Sequence, residues 1–404
     1  SGIMDTGADH ELTVTGNVLN YGTLTLNGSA FSAAFFRNYS TGVVPASTGQ
    51  HTFTDALRND NSYTFTNGNT LLTGRGVGNS GYVLDDQGST MNYNGGTINI
   101  GNGTDIGANT NIRPQASHDL NDLIINCTNS RIVYLATACD IAGDLTITAG
   151  GFNTHPSDYA LTVIGTTTIG DAGATGVDYA TLTTNESAID LQGTNNTTPG
   201  LKMLSGGTYN GVANANQSIG SINAQTTAYN SKIYLTSGTT TIYQEDTGNH
   251  AWSTYSTSDV NIYHGNGTVK FTAPTYAYIY NNAVLAGDNS FYNVIIDHAG
   301  APGNRVALSG DVTFSVINDL TVSDGDFYTG GALNTYVGND CLFTAGGHQF
   351  NTSGANNRPF NVVGTFTVSG TASSGIKASY IAGNETDTFG SLKVYNSGSF
   401  SATT

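Results

Sequence analysis

The sequence predicts an all-β chain wound as a single-stranded parallel β-helix of about 16 coils. Three observations carry this: helix-forming residues are scarce, short alternating strands end on glycine steps, and the text repeats at a period of about 24 to 25 residues. Of 29 acidic residues only Glu11, Glu186, Glu245 and Glu385 are glutamates, and Lys and Arg together number 12. The long straight-chain residues that favour helices are therefore nearly missing. Thr, Ser, Asn, Gly, Val, Ile and 22 tyrosines fill the chain instead, a mixture of β-formers and turn-tolerant residues.

The strands read as Leu12-Thr-Val-Thr, Thr23-Leu-Thr-Leu, Thr97-Ile-Asn-Ile, Leu145-Thr-Ile-Thr, Leu320-Thr-Val-Ser and Thr365-Phe-Thr-Val. Each sends alternate side chains to a core and to solvent. Corners follow at Gly16-Asn17, Gly143-Asp144 and Gly310-Asp311, steps that supply left-handed backbone. Two-residue hairpin loops are not the dominant pattern, which argues against an antiparallel meander.

Repetition is the strongest signal. Phe65-Thr-Asn-Gly68 recurs as Leu235-Thr-Ser-Gly238, Gly96-Thr-Ile-Asn-Ile100 as Gly267-Thr-Val-Lys-Phe271, and Leu120-Asn-Asp-Leu-Ile-Ile125 as Phe291-Tyr-Asn-Val-Ile-Ile296, at offsets of 170 or 171 residues. Asp144-Leu-Thr-Ile-Thr-Ala-Gly-Gly-Phe152 recurs as Asp319-Leu-Thr-Val-Ser-Asp-Gly-Asp-Phe327 at 175. Residues 65–165 are thus duplicated at 235–338. Within this lies a shorter echo, apolar-x-x-apolar before a strand, at Leu120/Leu123, Ile219/Ile222, Phe291/Val294 and Phe389/Leu392. The expected organisation is one continuous solenoid over 1–404, roughly 80 Å long at a strand spacing of ~4.8 Å, with residues 1–60 a less regular capping or connecting region. The opening at Ser1 reads as processing or excision. The strand pattern persisting to Thr404 leads us to expect more protein or another subunit beyond it.

A formal charge of −17 and the lack of a basic cluster argue against nucleic acid and anionic membranes as partners. No stretch approaches the ~20 apolar residues of a membrane helix. Cys127, Cys139 and Cys341 provide no disulfide framework and no C-x-x-C pair. Cys127 and Cys139 read either as a stacked pair or as small buried hydrophobes.

Several motifs touch chemistry without completing it. Asp5-Thr-Gly7 and the Asp-Thr-Gly at Asp246 look like the loops of retroviral-type aspartic proteases, but the flanking apolar strands are missing, so both read as turns. Ile100-Gly-Asn-Gly-Thr-Asp105 resembles half of a glycine-rich calcium repeat, a family that needs tandem copies, and Asp319, Asp324 and Asp326 form a loose carboxylate group. Solvated turn aspartates are the expectation at both places. His51, His155, His250, His264, His298 and His348 show no metal-ligand spacing, so no metal and no cofactor is expected. No nucleophile elbow, H-E-x-x-H or P-loop occurs, and Asp85-Asp86 is the only adjacent pair of aspartates, so no catalytic residue is assigned. The sequons at Asn38, Asn102, Asn185, Asn195 and Asn384 matter only in a host that glycosylates them. Tyr276, Tyr278 and Tyr280 fall on one face of a strand and read as a glycan or subunit contact, or as an aromatic ladder along the solenoid.

The stretches Gly265-Asn-Gly-Thr-Val-Lys-Phe271, Phe291-Tyr-Asn-Val-Ile-Ile-Asp297, Leu308-Ser-Gly-Asp-Val312 and Asp319-Leu-Thr-Val322 are similar to repetitive β-solenoid (parallel β-helix) proteins of bacterial cell surfaces and tailed-phage particles, over roughly residues 89–404. The resemblance lies in the style of repeat. It implies an extracellular, non-enzymatic fibre or filament module on a cell surface or virion, associating with copies of itself or with further repeats of a longer chain. An adhesin or tail-fibre segment binding host glycans through Tyr276 to Tyr280 is the alternative. A β-helix polysaccharide lyase or hydrolase, which needs paired carboxylates in a cleft, is the third.

Overall fold

The structure, a computed structural model, describes residues 2–402 except 8–9, 89, 116, 155–156, 174–178, 195–197, 212–215, 225–230, 246–247, 249, 255–259, 273–275, 281–289, 299–304, 310–311, 330–331, 345–347, 352–359, 371–374, 380–387 and 397–398. Its strand pairings are parallel, and the helix among the described residues is a single 3-10 turn, Val77–Asn79. No helix of the described residues is long and apolar enough to cross a membrane. The chain divides into two compact units, Ser1–Leu191 with Ser205–Asn210, and Gln192–Leu204 with Gly211–Thr404. Each is a parallel β-solenoid.

In the first unit, alternation of side chains across each strand decides what is buried. Ala33, Phe53, Leu72, Ile100, Ile125 and Ile147 stand on successive rungs of one ladder and all point inward, each buried. Beside them run Phe31, His51, Thr70, Ile98, Leu123 and Leu145. The intervening residues Ser32, Thr52, Leu71, Asn99, Ile124 and Thr146 face outward, and four of the six are polar. Residues 1–60 join the same architecture, with Ile3 paired to Thr23, Thr23 to Val43 and Val43 to Ser62. In the second unit the equivalent inward line is Ile219, Ile242, Phe271, Ile296, Val322, Phe343 and Val368. Trp252 lies fully buried between Ile222 and Ile279 on another face.

About 11 turns are evident in the described residues of the two units, fewer than the sixteen expected. The difference is minor, and the steps between rungs are not uniform. The step from Phe53 to its partner Leu72 is short and that from Leu72 to Ile100 long, because loops of different size leave the corners, and several corners lie outside the described residues.

The duplicated stretches fall one in each unit, and the duplication extends to hydrogen-bond register. Thr97 pairs Asn69 on one side and Asp122 on the other; Thr268 pairs Thr239 and Asn293. Leu123 then pairs Leu145 as Val294 pairs Leu320, and both ladders break register immediately after, at Ile125/Asn126 and Ile296/Asp297. Their corners match too. A Cβ on Gly96 would stand 2.1 Å from the Thr66 carbonyl oxygen and one on Gly267 2.0 Å from that of Thr236, while the Thr66 and Thr236 hydroxyls each accept the N–H two residues on at 3.0 Å.

The apolar-x-x-apolar echo has a physical reason. In three of the four copies its third residue reaches the neighbouring turn: Asp122 Oδ1 accepts the Asp144 N–H at 2.8 Å, Asn293 Oδ1 accepts that of Asp319 at 3.3 Å, and the Ser391 hydroxyl donates to Thr365 Oγ1 at 2.9 Å, whereas the Ser221 hydroxyl of the fourth is buried without such a bond. The chain of contacts continues, with Asp144 Oδ1 taking the Thr166 N–H at 2.7 Å and Asp340 Oδ1 that of Thr365 at 2.7 Å. Gly143, Gly165 and Gly364 precede the bonded positions because a Cβ there would lie 2.0, 2.3 and 2.5 Å from these carboxylate oxygens.

Two predictions follow from this packing. Gly96→Val and Gly267→Val each drive a side chain into backbone, which cannot move without breaking the ladder, so each should cost several kcal/mol in denaturant unfolding. The neighbouring outward Asn99→Val should cost little. The second concerns His51, whose Nε2 and Nδ1 lie 2.9 Å from the Ser47 hydroxyl and the Tyr63 phenol inside the core. Burial lowers its pKa from 6.5 to about 4. The unfolded chain therefore takes up a proton that the folded core refuses. Above pH 6.5 this term is constant, and between pH 6.5 and 4 it removes about 3 kcal/mol of stability. Unfolding titrations across that range should show the decline, flattened in His51→Gln.

Candidate functional site

Tyr276, Tyr278 and Tyr280 lie half-buried on the outer side of the strand Ala277–Tyr280 and its leading residue, while Ala277 and Ile279 fill the core of the second unit. Their rings are engaged with neighbouring turns. Tyr276 meets Tyr278 edge-on with centroids 4.7 Å apart, the Arg305 guanidinium sits 4.2 Å over Tyr276 and 4.9 Å over Tyr328, and His250 packs 5.9 Å from Tyr278 and 6.0 Å from Tyr280. Burial and the Tyr278 hydroxyl push the Tyr276 phenol up to about 12. Tyr234 and Tyr263, paired across adjacent turns, stack at 4.3 Å and 6°. The geometry is that of rings covering one another along the sheet.

The remaining candidates resolve into structure. Asp5 accepts the Gly7 N–H and the Asn27 amide, both at 2.8 Å, in a turn; Asp246 lies outside the described residues. In the glycine-rich segment, Asp105 is held by Arg131 at 2.6 and 3.1 Å, Asn129 at 2.8 Å and the Gly107 N–H at 2.8 Å. The Arg131 guanidinium, foremost, keeps its carboxyl well below the usual carboxylate range. Those oxygens face a cation and N–H donors. Asp319 accepts Asn339 at 2.8 Å and the Asp340 N–H at 3.1 Å, and Asp324 accepts the Gly325 N–H at 2.8 Å, so both serve turns; the Asp326 side chain is outside the described residues. No group of three His, Cys, Asp or Glu among the described residues is placed to hold a metal.

The three cysteines are free and buried, so the Cys127–Cys139 pair is not formed. Burial pushes the Cys127 thiol up to about 12 and raises those of Cys139 and Cys341 as well, which removes any thiolate nucleophile. His155 and the His348 side chain lie outside the described residues, as do Asn195 and Asn384. Asn38 is fully buried, its amide donating to Gly42 O at 3.0 Å, Asn59 Oδ1 at 3.0 Å and Ser62 O at 2.8 Å, and so is no glycan acceptor in the folded chain.

Asn38 belongs to a constellation that the linear text hides. Asn20, Asn38, Asn59 and Asp86 occupy one position on successive turns of the first unit and pass hydrogen bonds along at 2.8, 3.0 and 3.3 Å. Asp86 Oδ2 closes the row on His118 Nδ1 at 2.8 Å. One residue over runs a charged row. Asp60 bonds Arg37 at 2.7 Å and Arg58 at 2.8 Å, and Asp85, 1% exposed, bonds Arg113 at 2.8 Å with Arg58 at 3.8 Å. Arg37 and Arg113 lie over Tyr39 and Tyr82 at 4.1 and 4.4 Å. The Asp85-Asp86 pair is thus split between two networks. The signal lay in Asn20, Asn38 and Asn59 recurring near one turn apart, which a scan for contiguous motifs does not detect.

A groove of about 180 Å³ opens on the first unit, lined by Ser130, Ile132, Gly150 to Asn153, Tyr179, Thr181 and Thr183, none of them charged. No protein-family model matches the chain, and neither a curated protein nor a solved structure is significantly similar to it.

The charged row yields a measurable consequence. Arg113→Met leaves Asp85 buried with the more distant Arg58 and the Gln87 amide at 3.3 Å, which should destabilise the first unit by about 3 kcal/mol in denaturant unfolding. Asp105→Asn, at an exposed pair, should change stability by under about 1 kcal/mol.

Proposed function

We propose that the chain is a structural module of an extracellular fibre or filament, on a cell surface or a virion, and that it acts by presenting and spacing rather than by catalysis. The observation carrying this reading is where the chain places its chemistry. The buried carboxylates Asp85 and Asp86 are consumed by Arg113, Arg58 and His118, the thiols are sealed in the core, and the outward positions are mostly Thr, Ser and Asn. Parallel coils bury an apolar line whatever the outer residues are, so such a surface can be chosen for inertness and solubility. With −17 net charge it repels acidic polymers and other copies at a distance, so self-association would proceed through strand edges or stacked tyrosines.

An adhesin that binds glycans is the second reading, favoured by the uncharged groove and by the outward tyrosines. A glycan-cleaving enzyme finds least support, since the adjacent carboxylates are ion-paired and directed into structure.

Negative-stain imaging of the purified chain, together with a turnover assay on acidic polysaccharides, tests the reading. Filaments or laterally packed particles and no product formation are expected. Hydrolysis or elimination that is lost on changing a single Asp would replace the module with an enzyme.

A further inference from the structure

The groove of the first unit owes its existence to two adjacent glycines with different reasons for being there. Gly150 is required by the backbone: its φ is +81°, and a Cβ would stand 2.6 Å from the Arg131 carbonyl oxygen and 2.7 Å from that of Cys127. Gly151 is not so constrained. Its φ is not in the left-handed region, and the three atoms nearest an added Cβ all belong to the Ile132 side chain, the closest at 3.3 Å.

The second unit supplies the control. There Gly325, with φ +78°, stands where Gly150 does, and Phe327 where Phe152 does. The residue between them is Asp326. Register agrees, with Ile132 opposite Gly151 and Val133 opposite Phe152 in the first unit, and Arg305 opposite Asp326 and Val306 opposite Phe327 in the second. The sequence thus carries a side chain at the position equivalent to Gly151, where the first copy has none.

What surrounds the opening specifies its occupant. Tyr179 stands beside it, 46% exposed, on backbone fixed from both sides: Gly150 N–H donates to the Tyr179 carbonyl at 2.9 Å, and the Tyr179 N–H donates to the Gly206 carbonyl at 2.8 Å. Ile132 gives a second apolar wall. Ser130, Asn153, Thr181 and Thr183 bring neutral donors and acceptors, and Asn153 is oriented by Asn185, whose amide donates to its oxygen at 2.7 Å. The Arg131 guanidinium, between the lining residues Ser130 and Ile132 in sequence, is occupied by Asp105. An aromatic ring on anchored backbone, a small volume and hydroxyl or amide partners without charge suit a ring that is apolar on its faces and hydroxylated at its edge.

We infer that this groove binds a single neutral pyranose residue of a glycan, with Tyr179 as the stacking surface and Gly151 as the open floor. The site is distinct from Tyr276 to Tyr280 and does not depend on the proposed fibre role. A volume of about 180 Å³ holds few ligand atoms, so a dissociation constant in the millimolar range is expected for one sugar.

The test uses the full chain and ligand-observed saturation-transfer NMR with methyl pyranosides of glucose, galactose, mannose and N-acetylglucosamine, and glucuronate as the anionic comparison. At least one neutral pyranoside should receive saturation, glucuronate should not, and both Tyr179→Ala and Gly151→Thr should reduce the signal about fivefold or more while thermal unfolding stays that of the parent chain. Tyr278→Ala, in the second unit, should leave it unchanged. No transfer to any neutral sugar at concentrations well above millimolar, equal transfer to glucuronate, or transfer untouched by both groove variants overturns the assignment. Should Gly151→Thr unfold, Tyr179→Ala, at a residue 46% exposed, decides alone.

Discussion

Every feature of the chain answers to one constraint: backbone must lie on backbone, turn upon turn, in parallel register. A strand in such a stack has its N–H and C=O groups satisfied by the turns on either side, which leaves the side chains to specify only what is inside, what is outside and where the corners fall. At corners the turns approach so closely that a Cβ is excluded, as Gly49, Gly96, Gly220 and Gly267 demonstrate by their distances of about 2 Å to the neighbouring carbonyl oxygen. The glycines are therefore contact points between turns, and few of them are simply flexible joints.

Where the side chains also run in register, identical or complementary groups stack. The Asn20, Asn38, Asn59, Asp86 row spends buried amides on one another and on corner carbonyls, and the Arg37, Asp60, Arg58, Asp85, Arg113 row alternates sign along the first unit. Such rows are costly to break and contribute modestly while intact, since each buried charge exchanges hydration for a partner. Tyr234 on Tyr263 and Phe65 on Tyr93 do the same with ring faces.

Much of this was readable in the text. Alternation in Leu145-Thr-Ile-Thr named the strand and Gly143 its corner, where close approach to Asp122, and not left-handed backbone, is what excludes a side chain; the Thr66/Gly68 and Thr236/Gly238 pairs, 170 residues apart, share one hydrogen bond. The number of turns was not readable, because a loop can lengthen at a corner without disturbing the rung it leaves, as between Leu72 and Ile100. The groove and the polar rows escaped for another reason. Ile132, Gly151 and Tyr179 are brought together only by register, and nothing in a linear scan marks Asn20 as the partner of Asn38. The tyrosines at 276, 278 and 280 were found because they are contiguous, and their partners Arg305, Tyr328 and His250 were missed because they are not.

Duplication carries a hazard that the charged row addresses. Two stretches with the same rung spacing and the same corner chemistry are each a template on which the other can assemble during folding, and repeat chains misassemble by this route. Most rungs, being Val, Ile, Leu and Thr, would tolerate the exchange. Arg113 and Asp85 would not, since each needs the other within hydrogen-bond reach, and a guanidinium paired with the wrong rung would meet hydroxyls and amides. The ion pairs of the first unit thus act as an address, telling otherwise interchangeable coils which neighbour is theirs.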